Sequence, residues 1–182
     1  LTPTEDQQML VGVAQEFATE RLRPAASAAD SARVTAAPVV HAAAEIGLHL
    51  LGVPEPLGGL GEERSAMTAT LVYEALAHGD LGQAVAALSP GSVATALALW
   101  GSQEQQQEFL PRLTSEGPVT AALALLEPAV LSDAFHPATT ATVVEEGFRI
   151  SGTKVGVPRG EDSAFFLLSA TLEGEARLFL VD

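Results

Sequence analysis

The chain has 182 residues, of which 47% are hydrophobic and only 5% aromatic, and its formal net charge is −14. That length accommodates one large domain, or one domain and part of another, with a core built mainly from Ala, Leu and Val. The nine Lys and Arg residues form no cluster, so nucleic acid and anionic membrane surfaces are disfavoured as partners. The absence of cysteine excludes disulfides, thiolate metal sites and a thiol nucleophile.

Neither a membrane span nor a targeting segment is predicted. No apolar run approaches the roughly 20 residues that cross a bilayer, and no basic segment precedes an apolar stretch at the N-terminus. A chain without cysteine also fits a reducing compartment. We therefore expect a cytoplasmic protein that does not associate with membranes.

The N-terminal segment predicts an amphipathic helix. Thr2 is suited to cap it, Pro3 to occupy its first position and Glu5 to complete a capping box. Apolar residues then recur on one face at helical spacing. These are Leu10, Val13, Ala14 and Phe17. Because Pro24 follows closely, the helix is expected to end near Leu22.

Four further helices are predicted at about 38–46, 63–77, 81–99 and 103–113. Gly47 ends the first of them, and the prolines and glycines of 48–61 predict an ordered loop. The helix at 63–77 is placed by the spacing of Met67, Leu71, Glu74 and Ala75. An interruption of the next helix is expected at 89–91, since Pro removes a donor and clashes with the preceding turn. Ser102 is suited to cap the last helix.

After Gly117-Pro118 the pattern changes to strands. They are predicted at about 119–125, 139–145, 147–152, 164–170 and 176–181, with hairpin turns at Glu146-Gly147 and Glu173-Gly174. This order predicts an α+β protein, with an all-α domain at 1–117 and a β domain at 118–182. Because the final strand would leave an open sheet edge at Asp182, we expect the chain to be a fragment.

Five short motifs follow one another along the chain. They are Leu1–Gln7, Pro54–Gly61, Trp100–Leu113, Leu125–Asp133 and Ser151–Lys154. The middle three are similar to "P-E-x-x-G-G-x-G", "G-(S/T)-x-E-Q... L-P-x-L" and "(L/V)-T-E-P-x-x-G-S-D", and the last resembles "N-G-x-K". Each motif is weak alone, but together and in this order they resemble the acyl-CoA dehydrogenase family over nearly all of the chain.

The resemblance implies a particular fold and chemistry. The expected fold is an N-terminal helical domain and a middle β-barrel domain, here incomplete, with the family's C-terminal four-helix bundle absent from this chain. The implied reaction is FAD-dependent α,β-desaturation of an acyl-CoA thioester, in fatty acid or steroid side-chain β-oxidation. A carboxylate takes the α-proton and flavin N5 takes the β-hydride. Since that base lies in the bundle in most members, no catalytic residue and no metal ligand is nominated here.

The cofactor positions depart from the family pattern. By motif match they are Leu125, Leu126, Ser132, Gly156 and Pro158. Leu126 replaces a Thr whose hydroxyl bonds the flavin, and its side chain has no donor or acceptor. Leu131 replaces a Gly that lets the backbone approach the cofactor. Gly156 replaces a Trp beside the ring, and Pro158 replaces a Thr and removes an N–H.

The joint loss of these groups predicts weak flavin binding, since each lost buried polar partner costs about 1–3 kcal/mol. The leading hypothesis is a subunit of a homo- or hetero-tetramer that works with a flavin-binding paralogue on an acyl-CoA thioester. One alternative is a conventional FAD-binding acyl-CoA dehydrogenase with an altered loop. The other is a non-catalytic acyl-CoA-binding or scaffold module.

Several residues have two interpretations. Ser132 is either a pyrophosphate contact or a loop cap, and the cap is favoured. Glu127 is expected to be a structural strand-end residue. Trp100 is expected to anchor a helix end in the core rather than to line an acyl pocket. Arg159 is expected to be a solvated loop residue rather than a phosphate contact. Surface or helix-face roles are expected for the histidines, which show no metal-ligand spacing. These are His41, His49, His78 and His136.

Overall fold

A computed structural model describes residues 2–60, 64–114 and 121–182. The chain divides into two compact units, Leu1–Val119 and Thr120–Asp182. The predicted boundary at 117/118, the start of a strand at 119, the start of a helix at Glu63, and Gly61 lie outside the described residues. The first unit is helical and the second is an open sheet, as the α+β prediction requires.

The helical unit contains six α-helices among its described residues. They are α1 (Glu5–Phe17), α2 (Arg23–Ala32), α3 (Ala37–Glu45), α4 (Ala66–Gly79), α5 (Leu81–Trp100) and α6 (Gln103–Thr114). Short 3-10 turns at Leu48–Leu50 and Glu55–Leu57 lie in the predicted loop. The main core cluster includes Phe17, Leu22 and Leu76, and full burial of such side chains contributes about 1.5–3 kcal/mol each.

The first helix differs from its prediction at both ends. Thr4 caps it, two residues later than expected, and exchanges reciprocal hydrogen bonds with Gln7. The helix also does not stop near Leu22, because a π-helical turn at Ala18–Leu22 leads directly into α2. Pro24 lies in the first turn of α2, where its missing N–H costs little. The wider turn, in which Arg23 N–H bonds Ala18 O, accommodates the proline without breaking the rod.

The expected interruption at 89–91 is wrong, since α5 continues through Pro90. Pro90 and Gly91 are both buried, and a Cβ on Gly91 would lie 2.2 Å from His49 O. Close packing of the helix on this backbone offsets the hydrogen bond that Pro90 removes. By length and composition α5 could cross a membrane, but most of its residues are buried within the unit, as in the core helix of a soluble protein.

The apolar register of α4 differs from its prediction. Ser65 caps the helix by accepting a hydrogen bond from Thr68 N–H. Val72 and Leu76 are buried, whereas Met67 and Glu74, expected to share the buried face, are exposed. Ala75 is buried as expected. The α6 prediction is confirmed, and Ser102 and Gln105 form its reciprocal cap.

All five predicted strands are present in one open sheet. They are β1 (Ala121–Ala124), β2 (Thr140–Val144), β3 (Gly147–Ser151), β4 (Phe165–Leu172) and β5 (Glu175–Val181). A two-residue turn at Glu173-Gly174 joins β4 to β5 as predicted, whereas the turn between β2 and β3 is Glu145-Glu146, one residue before its predicted position. Glu173 and Gly174 both adopt positive φ, of 52° and 85°. This is the conformation that tight hairpins need.

A long loop connects β1 to β2, two strands that pair with neighbouring parts of β4. β5 pairs with β4 along one edge, and β1 and β2 both run parallel to β4, so they occupy the other edge. Ala124 lies opposite Leu168, and Thr140 opposite Thr171. The chain therefore leaves the sheet after β1 and returns almost where it left. We call residues 125–139 the Ω-loop, since its ends are close together.

Candidate functional site

The Ω-loop is ordered by hydrogen bonds of its own. Ser132 Oγ accepts a hydrogen bond from Glu127 N–H at 2.9 Å, as the loop-cap interpretation requires. Asp133 accepts from Phe135 N–H at 2.9 Å and lies 2.7 Å from His136 Nδ1. The hydrogen bond from His136, with that from Phe135 N–H, lowers the pKa of Asp133. The predicted site residue Ser132 thus supports the loop, and its hydroxyl proton stays able to donate.

Glu127 closes the base of the Ω-loop. Its carboxylate accepts hydrogen bonds from Ala138 N–H at 2.6 Å, Thr139 N–H at 2.8 Å and Thr139 Oγ1 at 2.6 Å. Desolvation raises the pKa of this carboxyl, but hydrogen bonds from Lys154, Thr139 and Ala138 outweigh it and lower the pKa to about 2. Glu127 is structural, as expected, although it lies beyond the end of β1 and acts through its carboxylate.

Lys154 completes the base of the loop. Its Nζ lies 2.8 Å from Glu127 Oε1, 3.2 Å from Leu125 O and 3.0 Å from Ser169 Oγ. An ammonium has three donors, and here each has an acceptor. The Lys154 and Glu127 side chains are only 9% and 10% exposed, so the pair is shielded from solvent.

Leu126 and Gly156, two of the predicted cofactor positions, lie side by side. Val155 N–H donates to Leu126 O at 2.9 Å. A Cβ built on Gly156 would have one described neighbour within 4 Å, Leu126 Cδ1 at 3.8 Å. Leu126 is 53% exposed, and Gly156 has φ +60°, a conformation that disfavours a bulky side chain. The structure therefore brings together the two positions where the family motif has a hydroxyl and an indole.

The remaining predicted positions are close in sequence to these contacts. Leu125 offers its carbonyl to Lys154. Leu131 is exposed at the loop tip with Val130 and Phe135. Pro158 precedes Arg159, whose side chain is only 16% exposed and lies 3.8 Å from Asp162, contrary to the expectation of a solvated residue.

These side chains are a poor chemical match to a flavin. Leu126, Gly156 and Pro158 present no polar side-chain atom, and Leu125 offers only a carbonyl already bonded to Lys154. Ser132 carries the one hydroxyl at the five positions; it accepts from Glu127 N–H and has only its own proton left to donate. The five positions therefore do not fit a flavin ring.

Sequence reasoning missed the roles of Lys154, Thr139 and Ser169. Lys154 is the single lysine of the chain, which was an available signal in a protein of net charge −14. Gly152 belongs to the same group, because a Cβ there would lie 2.4 Å from Thr139 Oγ1. Gly152 and Lys154, the two letters of the "N-G-x-K" pattern that this chain retains, thus both have structural roles at the base of the Ω-loop.

Two other expectations are wrong. His49 is buried rather than on the surface, and its Nε2 lies 3.1 Å from Leu113 O. Burial lowers its pKa, although the hydrogen bond to Leu113 opposes the shift. Trp100 is 72% exposed and does not anchor the end of α5. Within the described ranges, no cluster of potential metal ligands is present.

Comparison with known proteins agrees with this architecture. The family described as "Acyl-CoA dehydrogenase, N-terminal domain" matches residues 4–117. Mitochondrial isobutyryl-CoA dehydrogenase of Dictyostelium discoideum is 32% identical over 91% of this chain and 39% of its own length. Benzylmalonyl-CoA dehydrogenase of Aromatoleum aromaticum is 30% identical over 98% of this chain and 48% of its own.

Solved structures extend the likeness over the sheet. Butyryl-CoA dehydrogenase of Megasphaera elsdenii superposes with a TM-score of 0.86 at 24% identity, over 100% of this chain and 49% of its own. An acyl-CoA dehydrogenase of Bacillus anthracis, complexed with FAD, has a TM-score of 0.79 at 26% identity, over 100% of this chain and 32% of its own.

A helical unit followed by an open sheet matches the fold of those solved structures. The chain belongs to the acyl-CoA dehydrogenase family. It spans less than half the length of the two curated relatives named above.

Proposed function

We propose that this chain is a subunit of an acyl-CoA dehydrogenase in which a flavin-binding paralogue holds FAD. Bound FAD supplies the hydride acceptor for α,β-desaturation of an acyl-CoA thioester. This chain contributes its helical unit and its Ω-loop to a tetramer. The tetramer is located in the cytoplasm. Family membership supports the reaction class, and the substituted loop supports the division of labour between subunits.

The observation that carries the proposal is the pairing of Leu126 with Gly156. The two positions are adjacent, yet neither supplies the hydroxyl or the aromatic ring that the family motif places there. Each missing buried hydrogen bond costs about 1–3 kcal/mol of cofactor affinity. Because every 1.4 kcal/mol is about tenfold in affinity, the joint loss weakens FAD binding by orders of magnitude.

The test is to purify the chain alone and together with the product of a neighbouring paralogous gene. Visible flavin absorbance per chain and dye-coupled oxidation of acyl-CoA are then measured. The expected result is little flavin on the chain alone, with stoichiometric flavin and turnover in the mixed assembly. Stoichiometric FAD on the chain alone would overturn the proposal and favour a conventional dehydrogenase. Acyl-CoA binding without turnover in any combination would favour a scaffold module.

A further inference from the structure

The Ω-loop begins and ends at neighbouring points of β4. Between the partners of Ala124 and Thr140 only Ser169 and Ala170 intervene on that strand. The returning end is fixed to the sheet directly, since Thr171 N–H donates to Thr139 O at 2.8 Å. Thr171 Oγ1 also donates to Pro137 O at 2.7 Å. The departing end leaves the β1–β4 ladder after Ala124, and beyond it Leu126 O accepts a hydrogen bond from Val155 N–H at 2.9 Å, next to Lys154.

Lys154 connects the departing end to the sheet. Its three acceptors belong to the departing backbone at Leu125, to the Glu127 carboxylate, and to Ser169, in the gap on β4. The same Glu127 oxygen accepts from Thr139 N–H at the returning end. One ammonium therefore joins both ends of the loop and the strand beneath them, and Ser169 is 2% exposed, so water does not compete there.

We propose that Lys154 is the positioning residue of the Ω-loop, a staple that holds Leu126 beside Gly156 before any ligand binds. This inference deepens the proposed function and rests on it for the loop's role, because the stapled loop is the surface that the dehydrogenase motif assigns to the cofactor. A loop ordered in advance does not lose conformational freedom on binding, which favours association with a partner subunit.

The role proposed for Lys154 requires a particular donor geometry as well as a positive charge. The three acceptors converge on one nitrogen, which suits a tetrahedral ammonium. A guanidinium is planar and spreads its donors over a fork. Lys154→Arg keeps the charge but cannot reach all three acceptors from one atom, so it should not restore the ordered loop. A purely electrostatic role for Lys154 predicts the opposite, that Arg suffices.

The test measures order of the loop without any ligand, in the whole chain. Amide hydrogen exchange is followed at Ala138 and Thr139, which donate to Glu127, and along the β4–β5 ladder as an internal reference. Lys154→Met and Lys154→Arg should each speed exchange at the two amides by at least about tenfold with the ladder unchanged. The matched control is Arg149→Met, which removes an exposed cation from β3 and should change neither.

Chemical labelling gives a second readout that does not depend on a variant that folds poorly. Because Lys154 is the single lysine, its acetylation rate in the wild-type chain reports the staple directly. The rate should be at least about tenfold below that of the same lysine in the denatured chain, and Ser169→Ala should raise it. Labelling as fast as in the denatured chain, or unchanged exchange in Lys154→Met, overturns the inference. An ordered loop without FAD binding in any assembly contradicts only the proposed function.

Discussion

Lys154 Nζ lies 2.8 Å from Glu127 Oε1, across 27 residues of sequence, and both side chains are about nine-tenths buried. Pairs of this kind are costly to break, because removing one partner leaves the other charge buried, at about 3–5 kcal/mol. Breaking this pair should destabilise mainly the Ω-loop, because the pair joins the two ends of that loop. The base of the loop is therefore its most vulnerable point.

Glu127→Gln should reduce stability at neutral pH by about 3–5 kcal/mol, because the amide leaves the buried Lys154 ammonium without its counter-charge. It should also change the acid response. The pKa of Glu127 is lowered from 4.5 to about 2 in the folded chain. Its contribution is thus complete above pH 4.5 and is lost as pH falls towards 2.

The measurement is denaturant unfolding at several pH values, with Glu146→Gln in the exposed β2–β3 turn as the control. The wild type and the control should both lose stability across that window. Glu127→Gln should show a flatter slope there. Equal slopes in all three proteins would contradict the role given to the carboxylate.

Gly152→Ala should destabilise the sheet unit and loosen the loop. The added Cβ would lie 2.4 Å from Thr139 Oγ1 and 2.7 Å from Thr139 Cα, so the backbone must shift. Overpacking of this kind costs about 1–3 kcal/mol. Thermal unfolding and proteolysis at the exposed Phe135 measure the effect. Thr153→Ala, at the exposed neighbouring position, should resemble the wild type, and a wild-type response of Gly152→Ala would refute the close approach.

His49→Gln should flatten the stability profile just below pH 6.5. Leu113 O can only accept, so Nε2 carries the proton of the neutral ring, and buried Nδ1 has no partner in the described chain. Burial lowers the pKa of His49 from 6.5. Below pH 6.5 the unfolded chain therefore protonates His49 more readily than the folded chain does. Because protonation then favours the unfolded state, stability is lost as pH falls below 6.5.

Unfolding curves between neutral and mildly acidic pH distinguish His49 from the other histidines. The control is His41→Gln, since His41 is exposed on α3. That control should keep the wild-type slope. If His41→Gln flattened the profile and His49→Gln did not, the buried ring would not be the source of acid sensitivity.

The elements themselves were largely predictable from sequence, and the exceptions have physical causes. Apolar runs and turn residues located all five strands, although alternating burial is absent from β1 and from β3. Pro24 and Pro90 misled the helix predictions, since a π turn and close packing compensate for the missing donors. Trp100 is predicted to anchor a helix end in the core, but it is exposed at the end of α5.

The sequence predicted the positions of the candidate site but not the contacts that hold them together. The motif located Leu126, Ser132 and Gly156, and the structure shows Leu126 beside Gly156. The Lys154–Glu127 pair could not be deduced from spacing, because residues 27 positions apart meet only through the path of the Ω-loop around β4. A short sequence motif does not show that the chain leaves the edge of β4 and comes back to it.

Leu126→Thr should strengthen FAD binding by the chain. The change restores a hydroxyl at a half-exposed position beside Gly156, where it clashes with nothing described. One additional hydrogen bond is worth about 0.5–1.5 kcal/mol, which is up to about tenfold in affinity. Quenching of flavin fluorescence on titration measures it. Val130→Thr, at the fully exposed loop tip, is the control, and equal affinities would place the flavin away from Leu126.

Gly91→Ala should destabilise the helical unit. Its Cβ would meet His49 O at 2.2 Å and His49 C at 3.1 Å, and backbone atoms cannot swing aside as a flexible side chain does. Helix α5 must then move away from the turn at Leu48–Leu50, which costs about 1–3 kcal/mol or more.

Gly82→Ala is the control in the same helix, since its Cβ would meet only Asp80 at 3.5 Å, an ordinary contact. Alanine there should stabilise α5 by up to about 1 kcal/mol, because glycine is a poor helix former. Thermal unfolding should thus shift the two variants in opposite directions, and a Gly91→Ala protein as stable as the wild type would show that α5 does not depend on this contact to continue through Pro90.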